Sequence, residues 1–191
     1  MNVDGVVLFP GAGSDRNHSS LVHIEKSLAP LRVARIDFPY RRAGKKIPDR
    51  APVLMQCVVE DVQRIAREWD TDPSRLVIGG RSMGGRMCSM AVADAERPLE
   101  VAGLILISYP LHPPGKSEKL RTEHLPRIQV PSLWISGTRD TFGTPIELAD
   151  AMHLVRGASV SHFIEGKGHD LKGCDNQIAT LITEWLSSQN L

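Results

Sequence analysis

Six short apolar runs punctuate this chain, at Val6-Val7-Leu8-Phe9, Val33-Ala34-Arg35-Ile36, Leu76-Val77-Ile78, Leu104-Ile105-Leu106-Ile107, Leu133-Trp134-Ile135 and Val160 to Ile164. Most are apolar without alternation, as strands covered on both faces must be. Between them the period changes. Leu21, Ile24 and Leu28, then Leu54, Val58, Val62, Ile65 and Trp69, fall three or four apart and read as amphipathic helices. A further helix is expected after Ser82, and another from Thr144-Pro145-Ile146-Glu147, where Thr caps, Pro occupies the first helical position and Glu completes a capping box. The last helix carries Ile178, Leu181, Ile182, Trp185 and Leu186 on one face. Strand and helix in strict alternation predict an α/β three-layer sandwich: a parallel sheet of about six strands joined by right-handed crossovers.

The length, 191 residues, predicts a single domain spanning 1–191, and a composition 41% hydrophobic and 24% charged predicts a sizeable core. Lys plus Arg number 23 against 22 Asp plus Glu, so no overall field gathers nucleic acid or an anionic membrane. No basic leader followed by an apolar stretch is seen, and no window approaches the roughly 18 apolar residues of a membrane span, so a cytoplasmic protein is expected. Cys57, Cys88 and Cys174 form no CxxC pair and no metal-ligand spacing; free thiols and no metal or cofactor are expected. Two long connections, 38–52 and 109–126, follow strands directly and belong at the carboxyl edge of the sheet, where α/β folds keep their ligand crevices. Residues 41–50 carry five basic groups and one acidic, which suits either a solvated loop or an attractor of anions. Only Tyr40 adjoins them, so a nucleic-acid platform is not indicated.

The chemistry concentrates in Gly80-Arg81-Ser82-Met83-Gly84, set between an expected strand and an expected helix. Glycines two before and two after a serine permit the tight strand-to-helix turn that lifts its hydroxyl clear of a sheet. Such a serine needs a base and an orienting carboxylate, in chain order Ser, acid, His. Asp140 follows the Leu133 strand in Gly137-Thr138-Arg139-Asp140, and His169 follows the Ile164 strand in Gly166-Lys167-Gly168-His169. Both therefore belong at the same edge as Ser82. Asp170 is the fallback acid, badly placed to orient its own neighbour's ring. His18, His23, His124 and His153 lie at helix starts or in helical segments, and His162 lies inside a strand. The backbone amides of Met83 and of Ala12, in Pro10-Gly11-Ala12-Gly13-Ser14, are the expected oxyanion donors. Gly11 and Gly13 let the backbone approach a substrate, Arg81 is a further substrate-binding candidate, and His112, held by Pro113 and Pro114, is expected to overhang the cleft.

Pro10-Gly11-Ala12-Gly13, Gly80-Arg81-Ser82-Met83-Gly84-Gly85, Gly137-Thr138-Arg139-Asp140 and Gly168-His169 together resemble the α/β-hydrolase superfamily, over essentially the whole chain. Phe38-Pro39-Tyr40 with Arg41 and Arg42, the Gly79 to Arg86 segment, and Tyr109 to Lys116 more narrowly resemble testis-expressed hydrolase-like proteins and a hydrolase-like subunit of the non-specific-lethal chromatin complex. The resemblance implies a dienelactone-hydrolase-like minimal core that opens at the superfamily's third strand, with about six strands and no lid domain. Pro10 stands where many members have His. The implied activity is that of a serine esterase or thioesterase acting on a small acyl substrate through Ser82, His169 and Asp140. The rival expectation is a hydrolase-like binding or scaffolding module, since the chromatin-complex relative serves as a subunit and fold alone does not decide function.

Overall fold

In the computed structural model, which describes residues 3–188, the six apolar runs become six strands of one sheet. They are β1 (Gly5–Phe9), β2 (Arg32–Arg35), β3 (Leu76–Arg81), β4 (Gly103–Ile107), β5 (Ser132–Gly137) and β6 (Ser159–Ile164). All pairs are parallel, in the order β2-β1-β3-β4-β5-β6. The helices are α1 (Ser19–Ser27), α2 (Pro39–Arg42), α3 (Ala51–Glu68), α4 (Met83–Val92), α5 (Pro145–Met152) and α6 (Asp175–Ser188). Among the described residues none of these forms a separate lid. Met1 and Asn2, part of the stretch searched for a leader, lie outside the described residues.

Alternate residues of each strand feed opposite faces of the sheet. Val6 and Leu8 join Leu21, Ile24, Ile178, Ile182 and Trp185 beneath α1 and α6. Val7 and Phe9 join Val58, Val62, Met87 and Trp134 on the face covered by α3 and α4. That explains the unbroken apolar runs: both faces are dry. The exceptions are the two edge strands: β6, partly exposed with Ser161 and His162 in its run, and β2, interrupted by Arg35, which pairs with Glu25 of α1 at 2.9 Å.

One feature of the order positions the site. From β1 the chain crosses to β2 on one side and then to β3 on the other, so the loops after β1 and β3 diverge and leave a crevice at their carboxyl ends. Phe9 is in register with Gly80, which brings Pro10–Ser14 beside Ser82. The three cysteines are free, as the sequence predicts, and all three are buried.

Candidate active site

Ser82 follows β3 directly and caps α4 at φ 47°, ψ −115°, a backbone conformation rarely adopted by any residue but glycine. The turn is held from both sides. Ser82 N–H donates to the Ile107 carbonyl of β4 at 2.8 Å, and the Ser82 carbonyl accepts from Arg86 N–H at 3.1 Å, the first bond of α4. A side chain at Gly80 would collide with the Phe9 carbonyl, and one at Gly84 with the carbonyls of Phe9 and Pro10. The glycines are thus demanded by how closely the elbow presses on β1.

The loops after β5 and β6 bring Asp140 and His169 to this turn. His169 Nε2 lies 2.9 Å from Ser82 Oγ, and Nδ1 lies 3.0 and 2.9 Å from the two Asp140 oxygens. A carboxylate can only accept, so Nδ1 carries the proton and Nε2 presents a lone pair to the serine hydroxyl. Asp140 is itself buried, 2% exposed, and its remaining capacity is filled by Ser136 Oγ–H at 3.1 Å and Phe142 N–H at 2.9 Å. Phe142 stacks on the His169 ring with centroids 4.1 Å apart. Such an arrangement can take a proton from Ser82 and hold the resulting imidazolium. Asp170 stands apart from the His169 ring; its side chain accepts from Lys172 N–H at 3.3 Å.

Met83 begins α4, where a backbone N–H has no partner within the helix. Ala12 and Met83 both line a cavity of about 330 Å³ that also reaches Ser82, Leu54, Arg86, Arg121 and Phe142. Tyr40 O–H donates to the Ala12 carbonyl at 2.9 Å and fixes that loop. Gly11 packs close to Ser82, its imagined Cβ 3.6 Å from the serine Cβ, whereas Gly13 faces open space. A groove of about 620 Å³ between α3 and the segment after α4 contains none of these residues.

Two expectations are corrected. Arg81 does not face the cavity: it is 6% exposed, and its guanidinium donates to the carbonyls of Asp170 at 2.8 Å and His169 at 3.5 Å. From the end of β3 its side chain turns towards α1, where it meets Ser20 Oγ at 3.4 Å, and it ties down the loop that bears His169. Nor does His112 overhang the cleft. It is 5% exposed, with Nδ1 at 2.9 Å from the Pro113 carbonyl and Nε2 at 3.4 Å from Glu147 of α5, and it is not among the residues lining the Ser82 cavity. Phe142, Arg86 and Arg121 were not foreseen. Arg86 alone left a trace, one helical turn beyond Ser82 on the same face. Among the described residues no group of three or more His, Cys, Asp or Glu is placed to share a metal ion.

The comparisons agree with this architecture. A dienelactone hydrolase from Anabaena variabilis superimposes with a TM-score of 0.74 at 21% identity, covering 97% of this chain and 87% of that one. A monoacylglycerol lipase from Paleococcus ferrophilus gives a TM-score of 0.73 at 14% identity, covering 98% and 96%. The RedJ thioesterase of the prodiginine pathway in Streptomyces coelicolor gives 0.65 at 14% identity, covering 94% and 84%. At these identities the likeness is one of fold. The model of the family described as the alpha/beta hydrolase domain matches residues 3–188, so the chain belongs to that family.

Proposed function

We propose that the protein is a serine hydrolase that cleaves an ester or thioester of a small acyl substrate through an acyl-enzyme. The observation that carries this reading is the 2.9 Å contact from His169 Nε2 to Ser82 Oγ, with the opposite ring nitrogen held by Asp140. As Ser82 Oγ attacks the carbonyl carbon, His169 takes its proton, and the oxyanion is received by the amides of Met83 and Ala12. His169 then protonates the leaving alcohol or thiol, and the carbonyl re-forms as the serine ester. Water, deprotonated by His169, repeats the attack; the acid departs and the proton returns to Ser82. No cofactor enters. A monoacylglycerol lipase and a thioesterase among the proteins of like fold support the same bond classes. The absence of a lid among the described residues favours substrates met in water over those at an oil interface. Kinship with the testis-expressed and non-specific-lethal hydrolase-like proteins, one domain across 1–191 and a cytoplasmic setting complete the reading; no helix of the described residues is long and apolar enough to cross a membrane.

Labelling with a fluorophosphonate, read by intact mass and peptide mapping, tests it. A single adduct on Ser82 is expected in the wild type and none in Ser82→Ala or His169→Ala. Each variant should lose on the order of 10⁴-fold in kcat on an activated ester. A folded wild type that takes no label and turns over no acyl ester would overturn the proposal in favour of a binding or scaffolding module.

A further inference from the structure

The cavity beside Ser82 holds two arginines, and neither has a carboxylate partner among the described residues. Arg35, Arg42, Arg64 and Arg75, by contrast, end on Asp or Glu at the protein surface. Arg86 Nε is buried with no hydrogen-bond acceptor at all. Arg121 reaches only a backbone carbonyl, that of Pro110, at 3.0 Å. The one acid on the cavity wall is Asp49, and Asp140 is already committed to His169. Two positive charges against one negative leave the cavity electropositive. Burial, and then the neighbouring charge of Arg86, push the Arg121 guanidinium below its ordinary pKa, so the two cations feel each other in a partly desolvated space.

The backbone beneath both is tied to a single histidine. Ser89 Oγ–H donates to the Arg86 carbonyl at 2.8 Å, and Tyr109 O–H donates to the Arg121 carbonyl at 3.1 Å. Both hydroxyl oxygens also contact His124 Nε2, at 2.8 and 3.4 Å. Since each hydroxyl proton is already committed, Nε2–H of His124 is the donor to both. Two charged side chains are thus mounted on a fixed base and left without a counterion, which is costly unless a ligand supplies one.

We propose that this cavity receives an acyl group ending in a carboxylate, gripped by Arg86 and Arg121, so that the preferred substrates are half-esters or half-thioesters of short dicarboxylic acids. A planar carboxylate matches the guanidinium fork, and the Leu54 and Met87 side chains on the same wall suit the intervening methylenes. This substrate class rests on the serine-hydrolase reading.

The test compares two near-isosteric esters, p-nitrophenyl hydrogen glutarate and p-nitrophenyl valerate, after subtraction of their spontaneous rates. Wild-type kcat/KM should favour the glutarate by about 10- to 100-fold. In Arg86→Gln and in Arg121→Gln that ratio should fall towards one. A wild-type ratio at or below one overturns the proposal without recourse to any variant. Calorimetric titration of Ser82→Ala with monomethyl glutarate and with methyl valerate separates the two readings. Binding of the glutarate alone supports the arginine site even if no ester is hydrolysed and no fluorophosphonate adduct forms, which would sink only the hydrolase. Equal binding of both, or of neither, by a folded Ser82→Ala sinks the arginine site.

Discussion

Arg81 is buried against two carbonyls of the loop that carries His169, and burial lowers its pKa from the usual arginine value. It acts through that loop, as a positioning residue. Arg81→Met should therefore let His169 drift from Ser82: kcat should fall by about 10- to 100-fold while KM stays within about threefold, because misplacement of about 1 Å is costly only to the chemical step. Steady-state kinetics beside a thermal melt checks this; a loss that follows the folded fraction, or that falls on KM, rejects the role. At this scale the sequence was legible where chemistry dictates order. The meeting of Ser82, Asp140 and His169 is readable because each follows a strand that ends at the same edge of the sheet. Arg81 and His112 were misassigned because nothing in a one-dimensional string says which way a side chain turns. Phe142 and Arg121 were missed because cavity walls are assembled from segments far apart in the chain.

At the scale of elements, α4 determines where Ser82 sits. Its first turn presses so closely on β1 that Gly84 has no room for a methyl group against the carbonyls of Phe9 and Pro10. Gly84→Ala should cost about 2 kcal/mol or more and lower Tm by about 5 °C or more, measured by calorimetry. The same substitution at Gly13, whose imagined Cβ meets nothing within 4 Å, should change Tm by less than about 2 °C. The alternation of elements was legible because strands buried on both faces cannot carry polar residues, whereas helices need a polar side. What stayed hidden was short or exposed. The turn of helix α2 begins inside a stretch that reads as loop, where Pro39 supplies the N-terminal signal but four residues are too few to show a period. The basic segment behind it is partly anchored, since Arg42 pairs with Asp61 of α3, while Lys45, Lys46 and Ile47 are exposed.

For the whole molecule, the apolar layer on the α3–α4 side is interrupted by the buried network of Ser89, Tyr109 and His124. Burial, reinforced by Arg86 and Arg127, pushes His124 down from 6.5 to about 4. The unfolded chain takes up a proton near pH 6.5 and the folded one does not until about pH 4, so stability rises with pH across this window. The contribution is complete above the higher value and should shrink by about 2 kcal/mol between pH 7 and pH 5. Urea midpoints at the two pH values should diverge in the wild type and draw together in His124→Gln; parallel behaviour of the two proteins would show that other groups set the acid limit. Topology was predictable at this scale because parallel strands admit few connections, and the crevice followed from the reversal of strand order between β2 and β3.

Of the residues lining the cavity beside Ser82, Asp49, Ala51 and Leu54 belong to the crossover after β2 and not to the strand ends that hold Ser82, Asp140 and His169. On the proposed reading, reaction and selectivity are separable inheritances in this fold: exchanging the 49–54 segment should retune the accepted acyl chain with Ser82, His169 and Asp140 left in place, which makes the crossover a natural site for diversification or redesign.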